Sequence, residues 1–358
     1  MGVIVDEVKS EAEPSQSYSL YLPATYSAER AWPVIFAFDP GARGRRPVER
    51  YQAAAEKFGY IVAGSNNSRN GSWEVSQRAA AAMAADVSAR FRIDQKRIYA
   101  AGMSGGARVA MSLALGSDLV AGVIASSAGW PDAKPRKTVP FVVFGTAGTE
   151  DFNHHEMREL DRTLASPHRV VIFEGGHVWL SSELAVAAVE WLELQAMASG
   201  RAPRNGEWID QTWRARLAAV EALQGAHAVV ALEAIEADFA AFKDVSLLAA
   251  RAAALRKERA VKDEFKRLEA EDRAEEKTMA EMLGLERQLA DLDTRPQALS
   301  RLRNEWKRLH AAAAAEADTP DRRVARRVTR SLGMGSGERT PDPEYRKIVA
   351  EFGPRRQY

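Results

Sequence analysis

The stretch RIYAAGMSGGARVAMSLAL, residues 97–115, decides the fold. It starts as an apolar strand and ends as an amphipathic helix. Between them stands Gly102-Met103-Ser104-Gly105-Gly106, a G-x-S-x-G pattern. The bare pattern is weak, because Gly and Ser are common. Its context gives it weight: strand, tight turn with small residues around a serine, then helix is the form of a nucleophile elbow. Such a turn lifts the hydroxyl above the sheet. It also aims the helix N-terminus at the negative charge that develops when an acyl group is attacked. The bland alternative is a Gly-rich turn whose serine caps the helix.

Working outward, strand-like runs stand at 18–24, 33–39, 60–65, 97–102, 120–127, 140–145 and 169–175. Helical patterns lie between or after them at 46–59, 75–91, 105–116, 154–165 and 181–198. Continuous apolar strands separated by helices of this length predict an α/β protein with a mostly parallel sheet covered on both faces.

A serine hydroxyl needs a base. In a hydrolase of this topology the partners follow in the order serine, acid, histidine. The chain has 6 histidines. His177 closes RVVIFEGGH, beyond the last expected strand and before a helix, which is where the base belongs. The acid belongs after the preceding strand, where FGTAGTEDFNHHE offers Glu150, Asp151 and Glu156. Asp151 is preferred, to hold the imidazole tautomer and stabilise the imidazolium, with Glu150 its nearest rival. A metal site at Glu150, Asp151, His154 and His155 has no recognised ligand spacing, so none is expected. An oxyanion hole needs two N–H donors. Gly105 supplies the first, and Gly41 or Ala42 in DPGARGRRP (39–47) is expected to supply the second. Trp73 and Trp130 follow strands at the same sheet edge and are candidates for an apolar substrate platform. Arg69 and Asn70 beside Trp73 are candidates for a polar substrate end.

With elbow, acid and base in this order, residues 1–200 resemble the α/β-hydrolase superfamily. DPGARGRRPVERY, AEKFGYIVAGSNNSRNG, RIYAAGMSGGARVA and FEGGHVWL look most like its polyhydroxybutyrate-depolymerase and feruloyl-esterase-like branch. The resemblance implies acyl-enzyme chemistry on carboxylic esters by Ser104, Asp151 and His177, with no metal or organic cofactor. Where many relatives carry His-Gly before the oxyanion residue, this chain has Asp39-Pro40-Gly41. Members of that branch are often exported. The first residues, MGVIVDEVKSEAEPSQ, lack a basic start and a long apolar run, so as they stand they are not expected to act as a signal peptide. A secreted or periplasmic site is the expectation if a leader was trimmed. A lid is commonly inserted after the strand that here reads VAGVIASS. Only AGWPDAKPRKTV follows it before the next strand, which favours an open cleft and large or polymeric esters.

Composition bounds the remainder. The 358 residues include no cysteine, which excludes disulfides, thiolate metal sites and a cysteine nucleophile. Net charge is +1, with 46% hydrophobic and 28% charged residues, so no global charge points to nucleic acid. No run reaches the ~18 apolar residues of a membrane span. Residues 1–200 hold 17 of the 24 glycines. Beyond SGRAPRNG (199–206) the chain is rich in Ala, Arg and Glu. An all-α domain of helical hairpins is expected over 206–332, weakly like tetratricopeptide repeats, followed by an irregular tail over 333–358. Its basic run RRVARRVTR (322–330) reads as a solvated helix face, and the helical half suits a protein partner. The leading reading is a serine esterase. The alternatives are a peptidase or amidase with the same triad, and a non-catalytic scaffold.

Overall fold

The computed structural model describes residues 1–132 and 134–354, and the side chains of all of these except 335–338. In chain order the elements are β1 (Ile4–Lys9), β2 (Ser17–Tyr21), β3 (Trp32–Phe38), α1 (Arg45–Phe58), β4 (Ile61–Ser65), α2 (Trp73–Arg90), β5 (Ile93–Met103) and α3 (Gly105–Leu115). They continue with β6 (Val120–Ser126), β7 (Val142–Gly148), α4 (His154–Thr163), β8 (His168–Phe173) and α5 (Ser182–Ala198). Seven helices follow: α6 (Gly206–Val220), α7 (Gly225–Phe239), α8 (Ser246–Lys257), α9 (Arg259–Gln288), α10 (Arg295–Ala313), α11 (Pro320–Arg339) and α12 (Pro343–Phe352).

The chain forms two compact units. The first comprises residues 1–147, 156–172 and 178–262. It is built on one eight-stranded sheet in the order β1-β2-β4-β3-β5-β6-β7-β8. β2 is antiparallel to β1 and β4, whereas β4, β3, β5, β6 and β7 run parallel. This is the α/β-hydrolase architecture that the sequence led us to expect. The strand β1 lies outside the seven expected runs. It is a sheet edge whose Asp6, Glu7 and Lys9 break the apolar run, as charged edges commonly do.

The strand period of two explains how the sheet is covered. On β3, Val34, Phe36 and Phe38 enter one core with residues of α2 and α3 such as Met83 and Met111. Ile35 and Ala37 enter the other, with Tyr51 of α1 and Trp191 of α5. All seven residues of β3 are buried, as expected for a central parallel strand. Helix starts follow local chemistry. The Ser181 hydroxyl accepts from the Leu184 N–H at α5, and the Asn205 carboxamide accepts from the Trp208 N–H at α6.

Helices α6, α7 and α8 fall in this first unit, although the change of composition lies ahead of them. The physical reason is partly a buried carboxylate. Asp238 of α7 accepts from Trp191 Nε1 of α5 at 2.8 Å and from Arg169 Nη2 of β8 at 2.5 Å, and it also pairs with Arg216 of α6. Leu232, Ile235 and Phe239 meanwhile pack with Leu194 and Met197 of α5.

The second unit comprises residues 148–155, 173–177 and 263–358. Its core draws on Met282 and Leu285 of α9, Leu302 and Trp306 of α10, Val328 of α11 and Tyr345 of α12. The stretch 333–358, expected to be irregular, continues α11 and then forms α12. Its residues 355–358 lie outside the described ones. The Asp342 carboxylate caps α12 by accepting from the Glu344 and Tyr345 N–H groups, and Pro343 stands at the first helical position. Asp-Pro is a helix-start signal here. No helix among the described residues is long and apolar enough to cross a membrane.

Candidate active site

The strand β5 ends at Met103 and α3 begins at Gly105, so the whole reversal rests on Ser104. Its backbone sits at φ 55°, ψ −124°, a region that costs a non-glycine residue about 1–3 kcal/mol. Neighbouring bonds hold it there. Ser104 N–H donates to Ser126 O of β6 at 2.8 Å, and Ser104 O accepts from the N–H groups of Ala107 and Arg108. The Ser104 hydroxyl makes no cap bond to α3, which removes the helix-capping reading. Close approach explains the flanking glycines. A Cβ on Gly102 would overlap the Gly106 carbonyl oxygen, and one on Gly106 would overlap the Phe38 carbonyl oxygen.

The loop after β3 differs from expectation. Gly41 N–H donates to Asp39 Oδ1 at 2.8 Å, and Ala42 N–H donates to Asp39 O at 3.2 Å. Both amides expected as the second oxyanion donor are engaged within their own turn. The cause is the fully buried Asp39. Besides the Gly41 amide, its carboxylate accepts from Arg43 Nε at 2.7 Å and Trp179 Nε1 at 2.8 Å. The turn that follows carries Ala42 at φ 57°.

A different group stands at Gly105. The Asn70 carboxamide lies so near that a Cβ on Gly105 would overlap its Oδ1. Asn70 N–H donates to Pro40 O at 2.9 Å, and Arg69 bridges to Gly41, which ties this loop to the one after β3. Oδ1 is the nearer atom to Gly105, and a turn of the carboxamide would present Nδ2 as a donor there. The sequence reading noticed Asn70 only as a candidate for a polar substrate end.

The second unit holds the expected acid and base, and it brings them together. His177 Nδ1 stands 2.8 Å from Asp151 Oδ1. Asp151 is fully buried, and the His177 side chain is 17% exposed. The Asn153 N–H donates to the same Oδ1 at 2.9 Å, and the Phe152 ring stacks on the imidazole with centroids 3.9 Å apart. A carboxylate at Nδ1 fixes the tautomer in which Nε2 is free of a proton, which is the state of a general base.

The rival acids are engaged elsewhere. Glu150 is held by Arg322 and Arg326 at 3.1 and 2.6 Å. Glu156 forms a two-pronged pair with Arg108 at 2.9 and 2.7 Å and accepts from the Gly129 N–H. His154 faces the Gly148 carbonyl, and His155 faces Glu276. Among the described residues no group of three His, Asp or Glu side chains gathers to hold a metal ion.

The tryptophans divide. Trp130 is 3% exposed and belongs to the core beneath the sheet, so it offers substrate no platform. Trp73, at the start of α2, is 43% exposed. It lines a cavity of about 250 Å³ with Gln77 and with Val109, Ser112 and Leu113 of α3.

No family model matches this chain, and no curated protein matches it either. Solved structures resemble it at low identity. An esterase from Pyrobaculum calidifontis shares 12% identity over 54% of this chain and 86% of its own, with a TM-score of 0.43. The feruloyl esterase module from Clostridium thermocellum shares 12% over 52% of this chain and 85% of its own, TM-score 0.42. The fluorophosphonate-binding serine hydrolase F of Staphylococcus aureus shares 14% over 53% of this chain and 96% of its own, TM-score 0.41. The strand order and the elbow of this chain are by themselves those of an α/β-hydrolase fold, and the names of these structures say nothing of its own substrate.

Proposed function

We propose that this chain is a serine hydrolase of carboxylic esters, working through an acyl-enzyme on Ser104, Asp151 and His177. The observation that carries the reading is the backbone of Ser104. A plain turn has no use for a serine at φ 55° between strand and helix, whereas a nucleophile that must stand clear of the sheet does. The Asp151–His177 pair supports it, following β7 and β8 in the order such a triad requires.

In this mechanism His177 Nε2 takes the Ser104 proton as Oγ attacks the ester carbonyl. Asp151 stabilises the imidazolium so formed. The oxyanion accepts from the Gly105 N–H and from the Asn70 side-chain amide, which replaces the Gly41 or Ala42 donor. The imidazolium then protonates the leaving alcohol, and neutral His177 activates the water that frees the acyl group. The polyester-depolymerase or feruloyl-esterase-like character is a finer part of the same proposal. It is supported by the stretch between β6 and β7, whose described residues contain no helix that would form a folded lid.

The test is turnover of a p-nitrophenyl ester beside the matched p-nitroanilide. The proposal expects ester hydrolysis that is lost in Ser104→Ala, with the anilide far slower. Comparable turnover of both would shift the assignment to an amidase or peptidase. A folded protein that turns over neither would leave the scaffold reading.

A further inference from the structure

The loop that carries Asp151 is gripped by α11. Arg326 Nη1 donates to both oxygens of Glu150, at 2.6 and 2.9 Å, and Arg322 Nη2 donates to Oε1 at 3.1 Å. Two further arginines hold the backbone. Arg327 Nη1 donates to Thr149 O at 2.6 Å, and Arg330 Nη1 donates to Glu150 O at 3.1 Å. Both residues that immediately precede Asp151 are therefore fixed by charge-assisted bonds, the stronger kind of hydrogen bond.

The grip is itself anchored. The Arg327 side chain is fully buried and pairs with Glu275 and Glu271 of α9 at 2.6 and 3.0 Å. Arg326 Nε donates to Ala313 O at the end of α10. The loop of His177 is bonded to the loop so held. Thr149 N–H donates to Phe173 O and Glu150 N–H donates to Gly175 O. A basic run that merely solvated a helix would not bury a guanidinium, because an unpaired buried charge is costly.

We infer that α11 is a positioning element for the reaction proposed above, with Arg322, Arg326, Arg327 and Arg330 setting where Asp151 meets the imidazole of His177. This rests on the serine-hydrolase reading. None of the four arginines touches reacting atoms. They act through the acid loop, and Glu150 is the handle by which two of them hold it.

The experiment compares the full-length protein with Arg322→Ala/Arg326→Ala, Glu150→Gln and Arg326→Lys. It measures kcat and KM on a p-nitrophenyl ester and the rate at which a fluorophosphonate labels Ser104. All are read well below each variant's melting temperature. A misplaced acid–base pair should lower kcat and the labelling rate together by about tenfold to a hundredfold, with KM little changed. Arg326→Lys should recover part of the loss. Glu150→Gln added to the double variant should cost little more, since both changes release the same grip. Equal kcat and labelling in a variant that only melts earlier would overturn the inference while leaving the hydrolase reading intact. A wild type that neither labels nor turns over would sink the hydrolase reading instead. If the double variant does not fold, Glu150→Gln and Arg326→Lys decide by the same two rates.

Discussion

Ser104 is held in a conformation that its own side chain disfavours, by a strand on one side and a helix on the other. Gly105 next to it must stay bare because the Asn70 carboxamide occupies the space of a Cβ. Asn70→Ala should lower kcat on the ester by about 10²–10³-fold with KM nearly unchanged, the usual effect of removing one oxyanion donor. Gly105→Ala should push the Asn70 carboxamide aside and cost a similar factor, and the two changes combined should cost less than their product. Steady-state kinetics on the three variants checks both. Residues also mark what could be read beforehand. The turn at Ser104 and the loop of His177 were each legible because each directly follows an apolar strand in its own short stretch of sequence. Asp151 was preferred over Glu150, but the two are adjacent in one loop and no local pattern separates them sharply. What separates them is Arg322 and Arg326, some 170 residues further along. The bonds of the Gly41 and Ala42 amides were hidden for a related reason: Asp39 turns back into its own loop, and no local pattern announces that.

Elements behave as their burial dictates. Strands β3 to β7 were legible because buried parallel strands read as apolar runs. β1 was not, because an edge strand needs no apolar run. α12 was hidden by the Pro and Gly residues that flank it, although Asp342-Pro343 is a cap followed by a first-turn proline. The tie between α7 and the sheet was equally hidden, because it depends on one acid among many in an Ala- and Glu-rich stretch. Asp238 is 3% exposed and serves Arg169, Arg216 and Trp191 at once. Burial already pushes the Arg169 guanidinium below its ordinary pKa. Removing the only charge that Asp238 supplies would leave two largely buried guanidinium groups short of their partner. Asp238→Asn should therefore lower the unfolding free energy by about 3–5 kcal/mol. Urea unfolding of the two proteins measures this, and a change below about 1 kcal/mol would show the network to be an incidental contact.

At the scale of the whole molecule, the C-terminal helices are more than an appendage. The loops of Asp151 and His177 belong to the same compact unit as residues 263–358. That unit also carries a pH signature. Burial pushes the Glu275 carboxyl up to about 7, against the pull of Arg327 and with Asp272 and Glu271 adding to the rise. A carboxyl with a higher pKa folded than unfolded favours the fold while it is protonated. Its contribution is complete below about 4.5, the ordinary value, and is lost as pH climbs through 7. Stability measured from pH 4.5 to 7.5 should thus fall more steeply with rising pH in the wild type than in Glu275→Gln. Identical slopes would contradict the assignment.

The central claim is that Ser104 is an activated nucleophile served by His177. It is tested most directly by fluorophosphonate labelling of the full-length protein, mapped by peptide mass. One equivalent of label is expected on Ser104, none on Ser104→Ala and much slower labelling of His177→Ala. Label on another residue, or none on well-folded wild type, would contradict it.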